Sequence, residues 1–331
     1  MTTLSRRRRL FAVAAMTLLA SAVAIAAGTG PANANSAIKV GNSSAQAFNF
    51  LPLGIGIEQK FYEANGVDVT EIDLGGSAKL HQAMIAGAID LGLGAGTDIQ
   101  FAVKGAPEKA VGAIAITPAL FGVIVPYNSP IKKLSDLKGK RIGISTVGSL
   151  TQWLAFQIAK KEDWDPHSFT FVTDGSEYTP QLAALETNAI DAQISGAALG
   201  WNLELQKKGR LLAPASEWVG AFLQNVVFAS DDIVKKDPSA VRGFLKGWLE
   251  AVAYMGSHKA ETIAFARTKD HFVEEVEEKQ YANVMPSFSK DGTFPPAAVA
   301  PVKESFVDLG ILPTEPDMAK YMTEEFLPGH P

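Results

Sequence analysis

The chain has 331 residues, with 30 Lys and Arg against 35 Asp and Glu, a net charge of −5 at pH 7 and no cysteine. That balance argues against nucleic-acid binding, which needs a basic stripe to displace counterions from phosphate. The lack of cysteine excludes disulfides, Cys-ligated zinc, iron–sulfur clusters, a thiol nucleophile and a lipidated cysteine anchor.

Arg6-Arg7-Arg8-Arg9 precede an apolar run from Leu10 to Ala27, and Ala32-Asn33-Ala34 follows. A basic segment, an apolar segment and a small-residue cleavage site make a secretory signal, so cleavage after Ala34 is expected. Arg8-Arg9-Leu10-Phe11 also resembles a twin-arginine signal. Without residues 1–34 the chain keeps 26 basic and 35 acidic residues, a net of −9. No later segment is apolar over the ~20 residues that span a bilayer, so a soluble, unlipidated periplasmic protein is expected. Nearly 300 remaining residues suit two lobes, each with its own core.

Beyond residue 34 the pattern is α/β: short β-branched runs alternate with segments of helical period. Residues 37–41 read as a strand, 57–65 as a helix stopped by Gly66, and 67–74 as a strand. A helix over 78–86, a strand over 89–93 and a helix start at Asp98 follow, then strands over 110–116 and 122–125. Residues 126–140 have turn chemistry and read as a crossing. The pattern restarts with a strand at 141–145, a helix from Ser149 to about Lys161, a strand at 169–173 and a helix at 180–187. A strand at 189–194, a helix through Trp201 and a strand at 225–229 come next. Asp237-Pro238 opens a long helix with an N-cap and a proline at its first position. This order predicts lobe 1 from 36–124 plus 226–331 and lobe 2 from 127–222, with hinge crossings near 125–126 and 224–225.

Catalytic motifs are missing. The five histidines are scattered without metal-binding spacing, and neither a G-x-S-x-G elbow nor a G-x-G-x-x-G or GK[ST] loop occurs. No metal, cofactor or catalytic residue is expected. What recurs is a strand ending in a small polar loop that opens a helix: Asn42-Ser43-Ser44, Gly75-Gly76-Ser77, Gly96-Thr97-Asp98, Gly148-Ser149-Leu150-Thr151 and Ser195-Gly196. Such loops gather at the carboxyl ends of α/β strands, where helix N-termini present free N–H groups. The same residues are also ordinary caps and turns. Asp98 either caps its own helix or faces a ligand. Asp174, Glu177 and Tyr178 read as a solvated loop with the alternative of a cleft-facing cluster. Phe48 and Trp201 read as core aromatics with the alternative of stacking on a ligand. The four arginines past residue 34 lie off these loops, so no bidentate clamp is expected.

Four stretches carry a family resemblance. Residues 57–69 (IEQKFYEANGVDV) with Gly75-Gly76, residues 86–92 (AGAIDLG), residues 134–148 (LSDLKGKRIGISTVG) with Ser149, and residues 235–245 (KKDPSAVRGFL) together resemble periplasmic solute-binding proteins of the nitrate/sulfonate/taurine, NMT1/THI5-like type. The resemblance implies a two-lobed type II periplasmic binding fold, each lobe a mixed sheet flanked by helices. It also implies a monomer that closes on one small polar or anionic ligand and delivers it to an ABC importer's permease subunits. By position, Ser43, Ser44, Gln46, Gly76, Ser77, Thr97 and Asp98 would line one side of the cleft, and Gly148, Ser149, Leu150, Thr151 and Ser195 the other. A thiamine-pyrimidine-synthase-like enzyme and a ligand-presenting sensor remain the alternatives.

Overall fold

The alternating strands and helices build two five-stranded mixed sheets in the computed structural model, which describes residues 34–329. The expected export signal, apart from Ala34, lies outside the described residues. In chain order the first lobe begins β1 (Ser36–Asn42), α1 (Leu51–Glu58), α2 (Phe61–Ala64), β2 (Val67–Asp73), α3 (Ser77–Ile85), β3 (Leu91–Ala95), α4 (Ile99–Val103) and β4 (Glu108–Ala115). The second comprises β5 (Phe121–Pro126), β6 (Arg141–Ile144), α5 (Leu150–Lys161), β7 (Thr170–Thr173), α6 (Tyr178–Glu186), β8 (Ala192–Gly196), α7 (Ala197–Leu205) and β9 (Gly209–Pro214). The chain then returns through β10 (Asn225–Ser230), α8 (Asp231–Lys236), α9 (Pro238–Ser257), α10 (Lys259–Asp270), α11 (Glu274–Val284) and α12 (Pro296–Asp308).

The sheets share one plan. Their orders are β2-β1-β3-β10-β4 and β7-β6-β8-β5-β9. Three parallel strands are followed by one strand antiparallel to both its neighbours, β10 in the first sheet and β5 in the second. Strands buried on both faces explain the continuous apolar runs, such as Val111–Ala115 and Val123–Val125, even where the pairing is antiparallel. Among the described residues no helix is long and apolar enough to cross a membrane.

Two expectations need correction. The 122–125 strand, expected in the first lobe, pairs as β5 with β8 and β9 of the second sheet. Gly122 permits this: a Cβ there would meet Leu211 Cδ1 at 2.6 Å and the Ala213 carbonyl at 2.8 Å, both on β9. The chain therefore changes sheet between β4 and β5, before Val125-Pro126. The 57–65 helix is really two, with α1 starting earlier at Leu51 and Lys60, at φ 60°, separating it from α2. The long helix at 238 is present as α9. Asp237 Oδ1 accepts from the Ala240 N–H at 3.0 Å, and Val241, Phe244, Leu245 and Trp248 are buried along one face, with Phe244 stacked on Tyr62 at 4.9 Å.

The lobes also meet through α5 and α12. Trp153, buried on α5, stacks on Phe222 at 4.5 Å and donates its indole N–H to Asp308 Oδ2 at 3.1 Å, an acceptor shared with Gln157 Nε2. Replacing Asp308 by alanine orphans that buried donor. A urea titration is expected to show a loss of about 1–3 kcal/mol; an unchanged midpoint would make the contact energetically neutral.

Candidate functional site

The strand-to-helix junctions of both lobes converge on one cavity of about 90 Å³. At about 10–15 Å³ per water on the same measure, that is room for a compact molecule and not for an extended chain. The first lobe contributes Ser43 and Ser44 after β1, Ser77 opening α3, Ala95 ending β3 and Asn225 opening β10. The second contributes Ser145 after β6, Ser149 to Thr151 at the start of α5, Ser176 and Tyr178 at the start of α6, and Ser195-Gly196 ending β8. Phe50, Leu120, Phe121 and Ile194 supply apolar wall. Four helices of eight residues or more, α3, α5, α6 and α7, therefore begin at or beside the cavity, each with first-turn N–H groups and a positive dipole end on that side. None of the residues lining it is charged or a histidine.

The lining is ordered by its own hydrogen bonds. Ser149 caps α5, accepting from the Gln152 N–H at 3.4 Å, and its hydroxyl lies 2.9 Å from that of Thr151. Thr151 Oγ1 accepts from the Ser145 N–H at 2.9 Å and lies 3.1 Å from Ser145 Oγ. Ser195 donates to Gln181 Oε1 at 2.5 Å. The Asn225 amide donates to the Gly94 carbonyl at 3.3 Å, while its oxygen accepts from Asn49 at 2.8 Å and Gln224 at 2.9 Å. At Ser145, Ser149 and Thr151 the residue is small and polar because the backbone turns there and the hydroxyls hold the turn.

Of the residues expected at the cleft, Ser43, Ser44, Ser77, Ser149, Leu150, Thr151 and Ser195 line the cavity. Five do not. Gln46 sits at the lobe boundary, where its Oε1 accepts from the Tyr178 N–H at 3.3 Å. Gly76, at φ 137°, opens α3 with a Cβ position 3.9 Å from Ser176 Oγ of the other lobe. Gly148 offers its carbonyl to Gln100 Nε2 at 2.9 Å, a second bond between lobes. Thr97 is fully buried. Asp98 is turned away to His81 Nε2 at 3.6 Å, and its Oδ2 accepts from the Ala95 N–H at 2.9 Å, so it stabilises its own turn. Phe48 is core, edge-on to Tyr281, and Trp201 packs with Ala198, Phe272 and Val276. The four arginines bind elsewhere: Arg141 pairs with Asp191, Arg210 donates to the Ile131 carbonyl, Arg242 to the Glu325 carbonyl, and Arg267 lies near Glu274.

Sequence reasoning underrated the 174–181 segment. Tyr178, Gln181 and Ser176 line the cavity, although their spacing is that of any helix start. Asp174 and Glu177 flank it without lining it. Burial pushes the Asp174 carboxyl up to about 6 against the opposing hydrogen bond from Gln193, 3.2 Å away. Burial also raises Glu177, helped by the charge of Asp73 and opposed by Lys79.

The family model described as NMT1/THI5 like matches residues 47–262. The 4-amino-5-hydroxymethyl-2-methylpyrimidine phosphate synthase of Schizosaccharomyces pombe is 24% identical over 296 residues, 84% of each chain. The alkanesulfonate-binding protein SsuA of Xanthomonas axonopodis pv. citri, solved bound to MOPS, superposes with a TM-score of 0.74 at 20% identity over 87% of this chain and 98% of its own. The periplasmic nitrate-binding protein NrtA of Synechocystis PCC 6803 superposes at 0.69 with 15% identity over 88% and 87%. At these identities the structural likeness establishes the two-lobed binding-protein fold.

Proposed function

Because this chain belongs to the NMT1/THI5-like family, we propose that it is the periplasmic solute-binding component of an ABC importer. It captures a small oxyanion, sulfonate- or nitrate-like, by closing its two lobes about the crossings between the sheets. The observation that carries this reading is the uncharged, hydroxyl-lined cavity between the lobes, on which four helix N-termini converge. Helix starts and hydroxyls hold a sulfonate or nitrate without a cationic side chain, and Phe50, Phe121 and Ile194 suit a short apolar substituent. With no lysine, histidine or carboxylate among the lining residues, the cavity has donors for binding and no general base, which favours capture over turnover. The 1–34 segment supplies export, and the monomer delivers its ligand to permease subunits.

The test is a thermal-shift screen of the compact unit Asn35–Pro331 after stripping by partial unfolding and dialysis. The panel holds sulfonates, taurine, nitrate, aromatic acids and pyrimidines. A ligand at ~100 times its Kd adds about 2.7 kcal/mol, a melting shift of several degrees. Ser149→Trp, which fills the start of α5, is expected to abolish that shift while unfolding stays cooperative. Retained affinity in this variant would remove the α5 start from the site. A pyrimidine as the sole hit would favour the synthase-like alternative, and silence across the panel would overturn the binding reading.

A further inference from the structure

Part of the cavity's polar lining is already satisfied. Ser195 donates to Gln181, and the hydroxyls of Ser145, Ser149 and Thr151 lie within hydrogen-bond distance of one another. Tyr178 lines the cavity, and among the described residues its phenol, like the hydroxyls of Ser43, Ser44, Ser77 and Ser176, makes no hydrogen bond. Its position is nevertheless fixed from several sides. A Cβ on Gly196 would lie 2.6 Å from the phenol oxygen, so the ring edge rests on bare backbone. Its own N–H donates to Gln46 Oε1 of the first lobe. Its ring stacks on Phe272, also of the first lobe, with centroids 5.4 Å apart and planes at 21°. Phe272 is held in turn, because its N–H donates to Asp270 Oδ1 at 3.0 Å.

Resting on the binding reading above, we propose that Tyr178 is the specificity-determining contact of this protein: its phenol donates to an oxygen of the bound oxyanion, and its stack on Phe272 ties an occupied cavity to the closed lobes. The two faces of one side chain thus serve two tasks. The hydroxyl selects a ligand that presents an oxygen acceptor, and the ring face carries the contact across the cleft. Burial, with the nearby charges of Asp270, Glu277 and Glu177, raises the phenol far above its ordinary pKa, so it remains a donor throughout the working pH range. A ligand lacking an oxygen acceptor at that point leaves the donor unpaired and is rejected.

Two variants separate the tasks. Tyr178→Phe removes the donor and keeps the stack; Phe272→Ala removes the stack and keeps the donor. Affinity is read by calorimetry with ethanesulfonate and nitrate as probes. Lobe separation is read by pulsed electron spin resonance between labels at Gln82→Cys and Ala183→Cys, both exposed positions in a chain otherwise free of cysteine. Tyr178→Phe is expected to weaken the binding probe at least about tenfold, the scale of a hydrogen bond to a charged group. Its unliganded distance distribution should match the parent's. Phe272→Ala is expected to shift the unliganded distribution to longer distances, and saturating probe should restore the shorter one. Parental affinity in Tyr178→Phe overturns the ligand contact, and a parental distribution in Phe272→Ala overturns the clasp. If neither probe binds the parent, the oxyanion reading and the ligand contact fall together, while the unliganded distances still decide the clasp.

Discussion

Replacing His81 by leucine is expected to destabilise the protein by about 3–5 kcal/mol in urea titrations at pH 6, because it strands two buried carboxylates. The side chain projects from α3 and is fully buried. Its Nδ1 lies 2.6 Å from Glu108 Oε1, at the start of β4, and its Nε2 lies 3.6 Å from Asp98 Oδ2, in the turn before α4. The ring stacks on Phe101 at 4.3 Å and meets Phe228 edge-on at 4.8 Å. Burial alone would lower the imidazole's pKa, but the adjacent carboxylates of Asp98 and Glu108, the latter hydrogen-bonded to Nδ1, outweigh it and push the value up to about 9. The imidazolium is thus the counter-charge for both acids. A group whose folded pKa is raised stabilises fully below its unfolded value, here about 6.5, and that stability is lost as pH rises through about 9. Between pH 6 and pH 9.5 the parent should lose about 3 kcal/mol from this site. The leucine variant should lack that contribution, and a variant as stable as the parent at pH 6 would show that His81 is not the counter-charge that holds the cluster. Because Asp98 also holds the Ala95 N–H, the cluster braces a turn whose Ala95 lines the cavity.

The plan of the fold was legible where local chemistry and tertiary packing agree. The Asp237-Pro238 start of α9 and the small polar loops after β1, β6 and β8 each carry a cap or turn that the backbone needs wherever the segment packs. Helix α1 was not legible. Its sequence, LPLGIGIE, contains a proline and two glycines, poor helix formers taken alone. The glycines are required from outside: a Cβ on Gly54 would meet Phe265 at 2.6 Å, and one on Gly56 would meet Tyr62 at 2.5 Å. Which sheet β5 joins is likewise decided by partners, since an apolar strand buried on both faces reads alike in either lobe. In the site, serines on the loops were readable, whereas the destination of Asp98 depends on His81 and Glu108, which approach from separate elements. Tyr178 was obscured for the same reason, since its stacking partner Phe272 lies 94 positions along the chain, in the opposite lobe.

The second large effect should run against intuition: Glu277→Gln is expected to stabilise the protein at alkaline pH. Glu277 on α11 is fully buried beside the largely buried Asp270 at the end of α10. Gln280 Nε2 donates to Glu277 Oε2 at 3.0 Å and to Asp270 Oδ2 at 3.4 Å. Burial raises Glu277 first, the charge of Asp270 adds to it, and Gln280 and Arg267 oppose, leaving the carboxyl at about 8. Asp270 is raised by burial too, with the proton shared with Glu277 opposing most, then the Phe272 N–H and Gln280. The pair therefore holds a proton in the folded state that the unfolded chain releases near its ordinary value of 4.5. An acid whose folded pKa is raised makes stability fall as pH rises from about 4.5 to about 8 and leaves it lower beyond. The neutral glutamine keeps the shape and a donor toward Asp270 while removing the repulsion. The variant should match the parent within about 1 kcal/mol at pH 5 and exceed it by about 2–4 kcal/mol at pH 9. Equal stability at both pH values would show that the pair does not share a proton. A consequence for binding follows through Asp270, whose Oδ1 holds the Phe272 N–H against Tyr178. When both acids ionise, their repulsion strains that anchor, so ligand affinity in the parent should weaken above pH 8 and Glu277→Gln should flatten the profile.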